Sequence, residues 1–313
     1  MSRIRSLAVL SLSVATLLSS AAAQKRPKFS DWLPAQHLSR PINSEFNDQA
    51  PILSKDEKTL FFTSNRPGGS GDEDIWVSKR RTPNSPWEDP VNLGPTVNSS
   101  GIERLRSLTP DGKGLLFMSN RQGGSGSTDI WIIVRDNVND DLDWSRPINL
   151  GSTINSPGSE IAAKYLFTNG GRTQKLFFTA ERPDGFGGSD LFESEINSGF
   201  GAPANVFELN SPSVETCFTV SEDGLEIIFI SNRPNTTGDL AYNELYSSTR
   251  ESLGDLWSPP EKLGPQVNAA DYQDVNPSLT IDGRTMMFAS RRPGGIGAGT
   301  LDIYMTTRRR IAQ

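Results

Sequence analysis

The stretch LTPDGKGLLFMSNRQGGSGSTDIW, Leu108–Trp131, places a tight turn and a glycine-rich loop between three apolar segments. Asp111 and Gly112, set between apolar runs, form one of the strongest short-range signals for a β-hairpin. Glycines in the following loop permit the positive φ angles that a chain reversal requires. The stretch therefore predicts three consecutive antiparallel strands, with the third beginning at Asp129.

The same plan occurs five times along the chain. Its second apolar segment carries an aromatic residue at intervals of about 50 to 60 residues, and such a period is typical of repeat architectures. These aromatics are Phe62, Phe117, Phe178, Phe229 and Phe288. A fourth segment, such as WEDPVNLG from Trp87, follows each of the first four repeats. Four antiparallel strands per repeat make one propeller blade, so we expect an all-β fold with a single five-bladed β-propeller over residues 24–313.

The two ends of the chain predict how the ring closes. The segment DWLPAQHLSRPINS, which starts at Asp31, resembles a fourth strand but precedes the first full repeat. The chain ends shortly after a third strand, DIYMTT from Asp302. We expect the N-terminal strand to complete the last blade, which would remove two exposed sheet edges.

The glycine-rich loops have a structural interpretation. The aspartate at the start of the third strand is expected to accept backbone hydrogen bonds within the loop. These aspartates are Asp74, Asp129, Asp190 and Asp302.

Composition limits the location and the partners of the protein. Residues 1–23 combine arginines, a short apolar run and a small-residue end, which is typical of a cleavable signal peptide and predicts a periplasmic or secreted protein. No later segment approaches the roughly 20 apolar residues that a membrane span needs. The formal net charge of −6 disfavours nucleic acid and anionic membranes as partners.

The chain contains one cysteine, Cys217, and one histidine, His37. A single cysteine excludes an intrachain disulfide, and a single histidine excludes two-histidine metal sites. His37 is expected to be an exposed strand residue rather than a catalytic base. We expect no cofactor and no metal.

The quoted repeat resembles the TolB-like, WD-like β-propeller repeat of bacterial envelope proteins. The resemblance covers essentially the whole chain after residue 23 and implies the propeller fold. It does not specify a function, because propellers serve in binding, scaffolding and hydrolysis.

Each predicted innermost strand begins with an acid, and an arginine follows each second strand. The acids are Asp48, Glu103, Glu160, Glu215 and Asp274. The arginines are Arg66, Arg121, Arg182, Arg233 and Arg292. Antiparallel pairing puts both sets at one rim of the central channel. Either the two sets pair and hold the blades together, or some acids stay free to bind a cation, a basic peptide or a sugar.

Other candidate binding residues lie where the repeats differ on this face. They are Arg104, Glu181, Asp184, Phe186, Tyr242 and Tyr272. Aromatic and charged side chains on loops at one end of a rigid ring suit recognition. We expect a monomeric, non-enzymatic platform that binds a protein or a cell-envelope component such as a glycan. One alternative is a purely structural subunit. The other is a glycan-active hydrolase that uses carboxylates at the channel mouth, for which Glu160, Glu181 and Asp184 are the candidates.

Overall fold

The computed structural model describes residues 27–168, 173–234 and 243–311. Within these ranges twenty β-strands form five four-stranded antiparallel sheets. The expected all-β, five-bladed β-propeller is therefore confirmed. The described residues include no helix able to cross a lipid bilayer. The expected signal peptide and the candidate Tyr242 lie outside the described ranges.

Each blade contains four strands, numbered here in chain order. The innermost strands of blades one to five are β2 (Asp48–Leu53), β6 (Glu103–Leu108), β10 (Glu160–Thr168), β14 (Glu215–Val220) and β18 (Asp274–Leu279). The second strands are β3 (Thr59–Ser64), β7 (Gly114–Ser119), β11 (Thr173–Ala180), β15 (Glu226–Ser231) and β19 (Thr285–Ser290). The third strands are β4 (Asp74–Lys79), β8 (Asp129–Val134), β12 (Asp190–Glu195), β16 (Glu244–Thr249) and β20 (Asp302–Thr307). The outermost strands are β5 (Val91–Asn92), β9 (Ile148–Asn149), β13 (Ala204–Asn205), β17 (Glu261–Lys262) and, for blade five, β1 (Gln36–His37).

The second strands supply much of the hydrophobic core. The repeat aromatics that they carry, such as Phe117 and Phe229, are fully buried. Neighbouring blades cover both faces of these strands, and for this reason their sequences are nearly continuous apolar runs rather than alternating ones.

Hairpin turns join the first and second strands at one face of the ring, called here the hairpin face. Gly112 occupies the left-handed region in blade two with a φ of +72°. Blade one has Glu57 at the equivalent turn position with a φ of 58°, a conformation that side chains other than glycine rarely adopt. The opposite face, called the rim face, carries the glycine-rich loops.

The aspartates of the glycine-rich loops accept backbone hydrogen bonds, as expected. Asp129 accepts from the amide of Ser125 at 2.6 Å and from that of Gly126 at 3.0 Å. Asp190 and Asp302 accept in the same way within their own loops. A Cβ atom on Gly124 would lie 2.5 Å from Asp129 Oδ2, so this approach requires glycine.

The N-terminal strand closes the ring, as expected. Strand β1 pairs antiparallel with β20, and His37 lies opposite Tyr304. The expectation that His37 is exposed is wrong, because its side chain is only 26% exposed and its Nε2 lies 2.6 Å from Asp302 Oδ2. In blade one Asn92 makes the equivalent contact with a loop aspartate, so His37 substitutes for the asparagine of the repeat.

Candidate functional site

The rim acids of four blades are internal ion-pair partners rather than open ligands. Each is fully buried and contacts the arginine of its own blade. The nearest nitrogen–oxygen distances are 2.6 Å for Asp48–Arg66, 2.9 Å for Glu103–Arg121, 3.1 Å for Glu215–Arg233 and 2.6 Å for Asp274–Arg292. Burial nevertheless raises the pKa of Asp274, an effect that Arg292 opposes.

A serine hydroxyl accepts from the arginine of each pair, and blade two illustrates how it can also hold the acid. Ser119 Oγ donates to Glu103 at 2.8 Å and accepts from Arg121 Nε at 3.0 Å. Ser99 adds its amide and its hydroxyl as donors to Glu103. The Arg121 guanidinium also lies over the Phe117 ring. Such a fully hydrogen-bonded pair ties the loop to two strands.

The third blade departs from this pattern at one position. Ala180 replaces the serine that ends the second strand in the other four blades, so the hydroxyl that contacts both acid and arginine is missing. Arg182 Nε instead lies 3.4 Å from Asp184 Oδ1. Glu160 retains only the amide and the hydroxyl of Ser156 as hydrogen-bond donors, at 2.9 Å and 2.6 Å, among the described residues.

The loss of these partners changes the protonation of Glu160. Its carboxyl group is fully buried, and burial raises its pKa to about 7. The Ser156 hydrogen bonds and the more distant charge of Arg182 oppose this shift, whereas the charge of Asp129 adds to it. Glu160 can therefore hold a proton near neutral pH, as a general acid must.

A surface cavity of about 560 Å³ lies at the same part of the rim. Ser156, Gly158, Glu181, Arg182 and Gly188 are among its lining residues. Glu160 does not line the cavity, but it accepts a hydrogen bond from Ser156, which does. Glu181 lines the cavity itself. The structure thus brings Glu160 and Glu181 to one place, with the exposed Asp184 held beside Arg182.

The remaining rim-face candidates do not join this cavity. Arg104 forms a bidentate ion pair with Glu73. Phe186 and Tyr272 are 58% and 37% exposed, and neither lines the cavity. No cluster of three or more metal-ligating side chains occurs within the described ranges.

The central channel contains a polar network in which none of the five rim acids takes part. Gln49 donates to Glu73 at 3.2 Å and accepts from Asn276 at 3.0 Å. Arg106 donates to Asn276 Oδ1 at 3.0 Å and to Cys217 Sγ at 3.2 Å. The free space here is about 10 Å³, and no carboxylate is among the described residues that line it. The rim acids therefore do not converge on the axis.

A second cavity, of about 900 Å³, opens on the hairpin face. The five equivalent positions of the innermost strands line it: Ile52, Ser107, Lys164, Thr219 and Ser278. Sequence reasoning missed this site because it considered symmetry-breaking residues only at the rim face. Alignment of the repeats at this strand position would have revealed Lys164 as a charge among uncharged residues.

Comparison with known proteins identifies the architecture. No protein-family model and no curated protein sequence matches this chain. The α-L-arabinofuranosidase from Podospora anserina in complex with cellotriose aligns over 91% of this chain and 98% of its own, at 12% identity and a TM-score of 0.52. The α-L-arabinofuranosidase from Lactobacillus brevis aligns over 86% and 92%, at 14% identity and a TM-score of 0.55. A structure named for TolB, from Agrobacterium tumefaciens, aligns over 86% and 92%, at 13% identity and a TM-score of 0.47.

These neighbours correct the expected function. Glycoside hydrolases predominate among the similar structures, and this finding overturns the expectation of a non-enzymatic binding platform. At such low identity the likeness establishes the five-bladed propeller fold and no more.

Proposed function

We propose that this protein is a glycan-active hydrolase whose acid group is Glu160, at the rim of the third blade. The observation that carries the proposal is the loss of the serine and arginine hydrogen bonds at this one rim acid. Burial without those partners keeps the carboxyl group protonated near neutral pH. The acids of the other four blades each contact an arginine at 2.6 to 3.1 Å.

The cavity supplies the remaining groups that hydrolysis needs. Glu181 is the second carboxylate and would accept a proton from the attacking water. As the water oxygen bonds to the anomeric carbon and the glycosidic bond breaks, the departing oxygen needs a proton. Ser156, which lines the cavity, would relay it: the serine hydroxyl gives its own proton to the departing oxygen and takes the proton of Glu160, whose Oε1 lies 2.6 Å from Ser156 Oγ.

The structural neighbours support the substrate class. Two of them, an α-L-arabinofuranosidase and a family-62 hydrolase, are complexes with cellotriose and xylotriose. Oligosaccharides of this kind, and aryl arabinofuranosides as reporters, are the substrates to test first.

The test uses three substitutions, of which two, at Glu160 and Glu215, are at equivalent positions. Glu160→Gln and Glu181→Gln should each abolish release of the aryl group and of reducing sugar. Glu215→Gln, which alters an arginine-paired acid at the same position in blade four, should retain the activity per folded molecule. Wild-type protein that hydrolyses none of these substrates, or activity that survives both substitutions in blade three, would contradict the proposal.

We also infer that the protein is exported and that its repeats belong to the TolB-like group. The amino-terminal pattern of residues 1–23 and the repeat motif support these two proposals. Sequencing the amino terminus of protein recovered from cell fractions would test export, since a mature chain should begin near Gln24.

A further inference from the structure

The hairpin-face cavity has two cations at its floor that lack carboxylate partners. Lys164 and Arg106 project from the innermost strands of adjacent blades and both line the cavity. Neither forms an ion pair with an acid among the described residues. Both side chains are half-buried, and partial burial of a cation without a counter-ion is unfavourable.

Lys164 is held by uncharged groups. Its Nζ donates to the Val220 carbonyl at 2.6 Å and approaches Thr219 Oγ1 at 3.4 Å. Burial lowers its pKa to about 8, and the nearby charge of Glu222 offsets only part of that effect. An anion in the cavity would oppose this shift and stabilise the protonated lysine.

Arg106 likewise contacts only uncharged side chains. Its Nη1 contacts Asn276 and Cys217, but its Nε is buried and has no hydrogen-bond partner. A guanidinium in this state is suited to a ligand that carries a negatively charged group.

The charges around the cavity favour the same ligand. Seven lysine and arginine side chains line it, against four aspartates and glutamates, although the chain as a whole has a net charge of −6. Asp141 is already neutralised by Lys79 and Arg135. A cavity of about 900 Å³ has room for more than a simple ion.

We infer that this cavity binds an acidic sugar, a ligand that combines a carboxylate or phosphate group with several hydroxyls. The anionic group contacts Lys164 and Arg106, while side chains such as Thr219 and Ser278 face the sugar hydroxyls. The site is on the opposite face from Glu160, so it does not depend on the proposed hydrolase activity.

The experiment measures binding by calorimetry with four probes: glucuronate, glucose 6-phosphate, inorganic phosphate and glucose. At least one acidic sugar should bind the wild-type protein at least tenfold more tightly than glucose. Comparison of the two acidic sugars shows whether carboxylate or phosphate is preferred. Inorganic phosphate that binds as tightly as both acidic sugars would overturn the assignment of a sugar.

Two lysine variants with the same change in charge locate the site. Lys164→Gln should weaken binding of the preferred acidic sugar at least tenfold. Lys113→Gln, which alters an exposed lysine near the same face, should leave it unchanged, as should Glu160→Gln. The comparison of acidic and neutral sugars uses only wild-type protein and stands even if Lys164→Gln fails to fold. Equal affinity for glucose, no binding of either acidic sugar, or equal weakening in both lysine variants would refute the inference.

Discussion

Replacing Glu160 with glutamine should make the protein more stable at alkaline pH, although the side chain is fully buried. A pKa raised from 4.5 to about 7 means that the folded state holds a proton more tightly than the unfolded chain does. The stability that this proton contributes is fully present below about pH 4.5 and is lost as the pH rises through about 7. At about 1.4 kcal/mol per pH unit, the loss is about 3 kcal/mol.

Glutamine does not titrate, so Glu160→Gln should escape this loss. Urea unfolding followed by tryptophan fluorescence would give the free energy of unfolding of wild type and variant at pH 4 and pH 8. The difference in free energy of unfolding between variant and wild type should become more favourable to the variant by about 3 kcal/mol from pH 4 to pH 8. Glu215→Gln is the matched control, and it should be less stable than wild type at pH 8 because Arg233 loses its charged partner. A Glu160→Gln variant that loses stability relative to wild type as the pH rises would refute the reasoning, since it would show that a cation stabilises the ionised carboxylate.

Four further substitutions or deletions test the remaining structure. Deletion of residues 27–45 should lower the melting temperature and promote self-association, because it removes the strand that closes blade five; an unchanged, monomeric protein would disprove that pairing. Glu103→Gln should cost about 1 to 3 kcal/mol in the free energy of unfolding by weakening a buried charged hydrogen bond, and a stabilised variant in urea unfolding would contradict the pairing. Ala180→Ser should restore the missing hydroxyl and lower the pKa of Glu160, measurable by NMR titration of the carboxyl carbon; a pKa that stays near 7 would count against this account. His37→Asn should change stability by less than about 1 kcal/mol, since asparagine holds this position in other blades, whereas His37→Ala should cost more; equal losses in the two variants would argue against that equivalence.

The fold could be predicted from sequence because its signals are local and repeated. Asp111 and Gly112 identify a hairpin without reference to the rest of the chain, and the recurring phenylalanines set the number of blades. Closure by β1 was also predictable, since a fourth strand was present at one end and missing at the other.

The candidate site could be predicted only in part. The acids and arginines of the rim were identifiable, but the significance of Ala180 depends on a serine that contacts both partners, a contact visible only in three dimensions. Lys164 was missed for a different reason: residues that break the symmetry were considered only at the rim face, whereas Lys164 lies at a strand position that is uncharged in the other four blades. The expected non-enzymatic function was wrong, since glycoside hydrolases predominate among the similar structures, and a motif repeated in every blade carries information on the fold rather than on function.

Ring closure by β1 has a consequence for the order of folding. His37 and Asp302 are separated by 265 residues, and joining two such distant points of a disordered chain would cost about 5 kcal/mol in loop entropy. Hairpins within each blade involve far shorter loops and form at a much smaller entropic cost. Once the blades have packed side by side, however, the two ends of the chain are already close together, and most of that entropy has been lost in earlier steps. We therefore expect pairing of β1 with β20 to come late in folding, after a nearly complete ring with one unpaired edge has formed.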